Sequence, residues 1–365
     1  MPLHWIALNA VKGLGPVKIK QLLDKYGDPG VVFKQSPSEL VKQGIVSESV
    51  ASQLGDPSLF RFAQKQLSWA ERLKVSVITC SDSVYPSCLK EIFAPPPIIY
   101  VKGRIEVLQK HAIAVVGTRV PTAYGKKVTD SICAELVEHR LVIVSGLARG
   151  IDTSAHQSCI NHKGETVAVL GCGLDRCYPS ENRDLSEKIV EKGVLLSEFP
   201  LGTPPEAYNF PRRNRIISGM TCGVLVVEAG VKSGSLITVH YALQQGRDVF
   251  AVPGPISSPV SAGTFNLIKN GAIPARSGHE IAQSLKVTTL SFESQTGCLS
   301  AGFSTELLQD SEKDVFEQLS TIPVRIDDIS TRTGIPIASL YPLLLNLELK
   351  GFIRQLSGQL YVTGV

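Results

Sequence analysis

The chain has 365 residues, 43% hydrophobic and 19% charged, with 37 Lys and Arg against 33 Asp and Glu for a formal net charge of +4. At roughly 100–200 residues per domain this length excludes a single small domain, and the apolar content excludes wholesale disorder. Because salt screens so weak a mean field, composition alone does not mark a polyanion binder, and any polyanion site must be local.

Residues 1–72 read as a module of short helices. Apolar periodicity in Ile6-Ala7-Leu8 and Ile19-Leu22-Leu23 is broken by Gly13, Gly15, Gly27-Asp28-Pro29-Gly30 and Ser36-Pro37. Within it, Lys12-Gly13-Leu14-Gly15-Pro16-Val17-Lys18-Ile19-Lys20 has the pattern of a helix-hairpin-helix, with a weaker echo at Gly44-Ile45-Val46-Ser47. Such a turn can aim helix N-terminal amides at a phosphate, and it also serves as a plain packing unit. The start of the chain lacks a basic segment followed by an apolar one, and no stretch of about 18 apolar residues occurs. The expectation is a cytoplasmic protein without a membrane partner.

From residue 73 to 285 the texture changes to short apolar runs separated by amphipathic helices: Val75-Thr79, Ile98-Val101, Ile113-Val116, Val142-Val144, Val167-Leu170, Val194-Leu196, Val224-Val227 and Val249-Val252. Continuous β-branched runs of this kind predict parallel strands buried on both faces, hence an α/β, doubly wound sheet. Residues 286–310, rich in Ser, Thr and Gly, read as a linker. The segment 311–365 gives helices over 312–319, 326–332 and 339–350, then a hairpin over 353–362 around Ser357-Gly358, which is a winged-helix pattern. Its mixed charges do not favour major-groove binding over a protein contact.

Ligands of doubly wound sheets collect outside the carboxyl ends of the strands. The turns there are Gly117-Thr118-Arg119, Ser145-Gly146-Leu147-Ala148-Arg149-Gly150-Ile151-Asp152, Gly171-Cys172-Gly173, Glu228 to Ser235, and Pro253-Gly254-Pro255. Small residues and helix N-termini at such turns suit an anion. Nicotinamide and P-loop fingerprints are absent, so no nucleotide cofactor is expected. The densest basic feature is Asn209-Phe210-Pro211-Arg212-Arg213-Asn214-Arg215. With Pro211 in the first turn, Arg212 and Arg215 share a helix face with Arg213 to one side. Guanidiniums beside an aromatic ring suit a strand whose phosphates are clamped while a base stacks on Phe210. The competing reading places Phe210 in the core and pairs Arg213 or Arg215 with Glu198 or Glu228.

Catalytic constellations are weaker. Ser145, Ser233 and Ser235 lie in Gly-rich turns and His156 follows Asp152 at i, i+4, but there is no G-x-S-x-G elbow, and a structural His156 is favoured. The eight cysteines form no C-x-x-C pair and no zinc-ligand spacing, so they read as reduced thiols and no metal is expected.

Taken together, GTRVPTAYG (117–125), SGLARGIDTSAH (145–156), VAVLGCGLDRCYPSEN (167–182), SEFPLGTPP (197–205), FPRRNRIISG (210–219), VVEAGVKSGSLIT (226–238), GRDVFAVPG (246–254) and GTFNLIKNGA (263–272) closely resemble the DprA/Smf family of DNA-processing proteins. The resemblance implies an extended Rossmann-like, mostly parallel sheet flanked by an N-terminal helical module of SAM or helix-hairpin-helix type and a C-terminal winged-helix-like domain. It implies a non-enzymatic single-stranded DNA-binding protein that dimerises through the Rossmann domain, protects incoming DNA in natural transformation and helps load the RecA recombinase. By position, the DNA-binding residues it implies are Gly117, Thr118, Arg119, Gly146, Phe210, Arg213, Asn214, Arg215, Lys232, Ser233, Gly234 and Ser235, with Arg212 at a variable motif position. Phe265 stands where many family members have Asn in G-T-N-x-L-I, so no polar side-chain contact implied for that position is carried over. The alternative of another class is a nucleoside-monophosphate phosphoribohydrolase-like enzyme. Its P-G-G-x-G-T turn with a downstream Glu is replaced here by Lys232-Ser233-Gly234-Ser235-Leu236-Ile237-Thr238.

Overall fold

The computed structural model describes residues 2–286 and, further on, 313, 315–316, 318–319, 324–349, 353–356 and 360–363. The chain divides into two compact units, Met1–Leu290 and Ser291–Val365.

The first unit begins with helices α1 (Pro2–Asn9), α2 (Pro16–Tyr26), α3 (Pro29–Val32), α4 (Pro37–Lys42), α5 (Glu48–Ala51) and α6 (Pro57–Arg72). Proline at the first helical position fixes φ where no amide partner is needed. Asp28, Ser36 and Asp56 cap α3, α4 and α6 by accepting from the amides of Gly30, Glu39 and Ser58. Trp5, Ile6, Leu8, Leu22, Leu40 and Ala63 form one continuous apolar cluster with Ile98, Tyr100, Leu195 and Leu201. These helices therefore share their core with the sheet behind them.

The sheet has nine strands: β1 (Ser76–Thr79), β2 (Ile98–Gly103), β3 (Ala112–Val116), β4 (Val142–Ser145), β5 (Thr166–Val169), β6 (Val194–Ser197), β7 (Gly223–Val226), β8 (Asp248–Ala251) and β9 (Ile273–Pro274), in the order β1-β2-β6-β5-β4-β3-β7-β8-β9. The helices between them are α7 (Ser87–Lys90), α8 (Ala123–Glu138), α9 (Ile151–Asn161), α10 (Arg183–Lys192), α11 (Asn209–Gly219), α12 (Ser235–Gln244), α13 (Ala262–Lys269) and α14 (Gly278–Ser284). Strands β3 to β9 are mutually parallel. β3 sends Ile113 and Val115 into one apolar layer and Ala114 and Val116 into the other, which is why its sequence does not alternate.

Two features depart from the sequence reading. β1 and β2 pair antiparallel with each other, and β2 pairs antiparallel with β6. A parallel return needs an element long enough to lie across the sheet, and the four-residue α7 is too short for that. The two-residue β9 was not foreseen; it ends in Pro274, tolerated because the strand lies at the sheet edge.

From β3 the chain steps through β4 and β5 to β6, then β7 starts on the other side of β3. Connections leaving β3 and β7 diverge, opening a crevice at their carboxyl ends.

In the second unit, β10 (Val324–Arg325), α15 (Ile326–Thr333), α16 (Ile337–Leu349), β11 (Ile353–Leu356) and β12 (Leu360–Thr363) form a three-stranded sheet with two helices. Ile326, Ile329, Leu340, Leu344, Leu347, Ile353 and Tyr361 form its core. Of the helix expected over 312–319, residues 313, 315 and 316 are described as helical. The expected linker is described at 286 alone, and the turn at Ser357-Gly358 lies outside the described residues. No described helix is long and apolar enough to cross a membrane.

Candidate functional site

A cleft of about 620 Å³ opens at the switch point. Its lining brings together Gly117 and Arg119 after β3, Ala148 and Asp152 after β4, Phe210, Arg213 and Asn214 on α11, and Ser233, Gly234 and Ser235 at the start of α12. Of the predicted residues, Thr118, Gly146, Arg212, Arg215 and Lys232 are outside that lining.

The three arginines of α11 have different surroundings. Arg213 is buried; its Nη1 donates to the carbonyls of Gly146, at 2.7 Å, and Val169, and its Nε donates to Asn214 Oδ1 at 3.1 Å. Burial lowers its pKa to about 10, with the nearby Asp152 carboxylate opposing the shift. Glycine at 146 leaves room for the Arg213 guanidinium, which a Cβ there would meet at 2.5 Å and push aside. Gly146 thus acts as a seat for Arg213, with its amide donating to Asp152 Oδ2 at 3.1 Å. Arg215 is also buried and pairs with Glu198 at 2.5 Å, while Gln245 donates to its carbonyl. Burial raises the Glu198 carboxyl pKa and Arg215 opposes that rise. Arg212, one turn earlier on the same side, stays exposed and stacks its guanidinium 5.4 Å from the Phe199 ring centre.

Two turn regions expected to offer amides to an anion already hold a carboxylate of the chain itself. Glu228 is buried at the N-terminus of α8, accepting from the Thr122 amide at 2.9 Å and the Thr122 hydroxyl at 2.5 Å. A Cβ on Gly125 would lie 2.2 Å from that carboxylate. Asp152 likewise accepts from the amides of Gly146 and Ala148. The spot where a Rossmann-type sheet seats a pyrophosphate is therefore filled, and positive charge at the cleft comes from side chains. Arg119 is exposed on the β3 turn, and Lys232 is exposed beside the α12 turn, where the Ser233 and Ser235 hydroxyls are 2.8 Å apart. Thr118 is tied down by its amide to the Glu228 carbonyl at 2.7 Å.

An aromatic pair completes the cleft. Phe210 is half-buried against Gly171, where a Cβ would come within 2.8 Å of its ring. Tyr178, a residue not singled out from the sequence, lines the same cleft with its ring centre 5.5 Å from that of Phe210. The available signal was an aromatic residue in a Gly- and Pro-punctuated turn after a parallel strand.

Ser145, Asp152 and His156 do not assemble into a relay. The Ser145 hydroxyl donates to the Val115 carbonyl at 2.7 Å, and His156 Nδ1 bonds the Thr166 hydroxyl at 2.7 Å. Burial lowers the His156 pKa to about 3. The folded state thus keeps His156 neutral where the unfolded chain takes up a proton below its ordinary value of 6.5. Its contribution to stability is present above that value and is lost as pH falls, by about 2 kcal/mol between pH 7 and 5. Urea unfolding at the two pH values should show a smaller pH effect in His156→Gln than in the parent; equal effects would refute this assignment. The seven described cysteines are free thiols, and no metal-competent cluster of His, Cys, Asp and Glu occurs among the described residues.

A family model described as DNA recombination-mediator protein A matches residues 76–286, and one described as DprA winged helix domain matches 301–359. Protein Smf of Synechocystis is 35% identical over 98% of this chain and 98% of its own length. Protein Smf of Escherichia coli is 36% identical over 94% of this chain and 93% of its own. The crystal structure of DNA processing protein A from Streptococcus pneumoniae superposes with a TM-score of 0.63 at 36% identity, covering 78% of this chain and 98% of that one. DNA processing protein A from Helicobacter pylori, whose structure was described for its single-stranded DNA binding mode, gives a TM-score of 0.53 at 27% identity, over 58% of this chain and 96% of that one.

Proposed function

Because the chain belongs to the DprA/Smf family of DNA-processing and recombination proteins, we propose that its cleft binds single-stranded DNA. The observation that carries this reading is the composition of the cleft: exposed Arg119 and buried Arg213 share its lining with the Phe210–Tyr178 aromatic pair, while Glu228 occupies the turn where a nucleotide pyrophosphate would sit. Guanidiniums hold phosphates through charge-assisted hydrogen bonds, and an aromatic face stacks any unpaired base without reading its identity. Duplex DNA offers no free base face, so the site selects single strands.

Affinity then comes from counterion release together with stacking. In an anisotropy titration of a dT oligonucleotide, Arg119→Ala should bind about tenfold more weakly at moderate salt, and the salt slope should shrink by about 0.7 for the lost phosphate contact. Unchanged affinity and slope would overturn the reading of Arg119. Lys232, Ser233 and Ser235 would add contacts along the α12 turn.

The remaining steps rest on family membership. The protein would act as a dimer through the Rossmann domain, shield incoming strands during natural transformation and hand them to the RecA recombinase, working in the cytoplasm and without catalysis. Slower nuclease digestion of dT with the protein bound, and faster RecA filament formation on such strands, are the expected outcomes. The phosphoribohydrolase alternative predicts release of free base from AMP by the purified protein, which the single-stranded DNA reading does not.

A further inference from the structure

We infer that Tyr178 is the outer platform on which an unpaired base stacks, with Phe210 acting as the ring that backs it. This rests on the single-stranded DNA reading of the cleft and assigns the stacking role within it. The sequence pointed to Phe210 for that role, because Phe210 sits inside the arginine-rich segment.

Phe210 has little free face to offer. One side of its ring rests on Gly171, so closely that a Cβ there would come within 2.8 Å of Cδ1 and 3.1 Å of Cε1. Tyr178 lies against it with ring centres 5.5 Å apart and planes inclined by 36°. Two stacked aromatic systems sit about 3.4 Å apart, the spacing of DNA bases along a strand, so a sandwiched base needs roughly twice that between the rings. A gap of 5.5 Å between centres leaves no room for a base to slide between them. The larger accessible aromatic surface in the cleft belongs to Tyr178, which remains 46% exposed, while Phe210 in the same lining is half-buried.

The position of Tyr178 suits this role chemically. Tyrosine presents a large rigid face at little conformational cost, and its hydroxyl tolerates water at the cleft mouth. Phe210 prepares the platform by fixing the inner side of the tyrosine ring, and Gly171 allows Phe210 to sit deeply enough to do so. The guanidinium of Arg213, anchored by the Gly146 and Val169 carbonyls, and Arg119 on the β3 turn line the same cleft. A nucleotide bound here places its base on Tyr178 and its phosphate toward the arginines.

The test compares full-length protein carrying Tyr178→Ala, Tyr178→Phe or no change, titrated with a dT oligonucleotide and with an abasic backbone of equal length at one salt concentration. Tyr178→Ala should bind dT about tenfold more weakly, Tyr178→Phe should stay within about twofold of the parent, and all three should bind the abasic strand alike. Salt slopes should be unchanged across the series, because no phosphate contact is removed. Equal dT affinity of Tyr178→Ala and parent overturns the inference, as does an equal loss on the abasic strand. Failure of the parent to bind dT would instead overturn the single-stranded DNA reading itself. Tyr178→Trp gives an independent readout: indole fluorescence quenched by dT and not by the abasic strand supports base stacking, and quenching by neither or by both opposes it.

Discussion

Arg215→Ala should lower the unfolding free energy of the full-length protein by about 3–5 kcal/mol, the range for removing one partner of a buried ion pair. Arg215 and Glu198 are both nearly inaccessible to solvent, at 8% and 7% exposure, and each leaves one further polar atom without a hydrogen-bond partner in the structure. Deleting the guanidinium strands a buried carboxylate whose protonated form burial already favours. The loss should therefore be smaller at acidic pH, where the carboxyl neutralises itself, than at pH 7. Arg215→Ala combined with Glu198→Ala should be less destabilised than the sum of the two single variants, because neither charge is then orphaned. Urea unfolding of the four proteins checks this, and additive losses would show the pair to be uncoupled. Single-stranded DNA affinity per folded molecule should stay within about twofold for Arg215→Ala, since Arg215 is outside the cleft lining.

Arg213→Ala should behave differently, costing both stability and binding. The carbonyls of Gly146 and Val169 lose their donor, and the buried Asp152 loses its neighbouring cation. Leaving such groups unsatisfied costs about 1–3 kcal/mol each before relaxation. Because Arg213 also lines the cleft, dT affinity should fall by about 10- to 150-fold, the equivalent of a charged hydrogen bond of 1.5–3 kcal/mol. Gly146→Ala keeps the charge and moves it, since the new methyl group meets the guanidinium at 2.5 Å. A comparable loss of affinity in that variant would locate the effect in the placement of the guanidinium. If Arg213→Ala bound dT like the parent, Arg213 would be a structural residue only.

The strands were legible because a parallel strand covered on both faces must be apolar throughout, as in Ile113 to Val116 and Val142 to Val144. The same texture hid the antiparallel pairing of β2, whose Ile98 to Val101 run looks no different; direction is set by the length of the connection. The arginine cluster on α11 was visible as a cluster. Its division was legible only in part: the Arg215–Glu198 pair was among the readings weighed, whereas the seating of Arg213 on Gly146 and the stacking of Arg212 on Phe199 were not, because those partners lie outside the arginine-rich segment. Glu228 was read as part of a phosphate-binding turn, whereas its side chain accepts from the amide and hydroxyl of Thr122, the residue that caps α8, from more than a hundred residues away. Tyr178 escaped because a single aromatic residue in a turn carries no periodicity. Family resemblance added what spacing could not, an expectation of which anion-friendly turns to look at together; the structure brings Gly117, Arg119, Phe210, Arg213 and Ser233 to Ser235 into one cleft.

The shared core of the N-terminal helices and the sheet has a consequence for the order in which the protein is made. Chains emerge N-terminus first, and domains generally fold as units as they do so. Leu8, Leu22 and Leu40 pack in a cluster that also needs Tyr100, Leu195 and Leu201. When the helices leave the ribosome, more than a hundred residues of their partner surface are still unmade. Until β6 is made, the helix faces that pack on Tyr100, Leu195 and Leu201 lack that part of their cover.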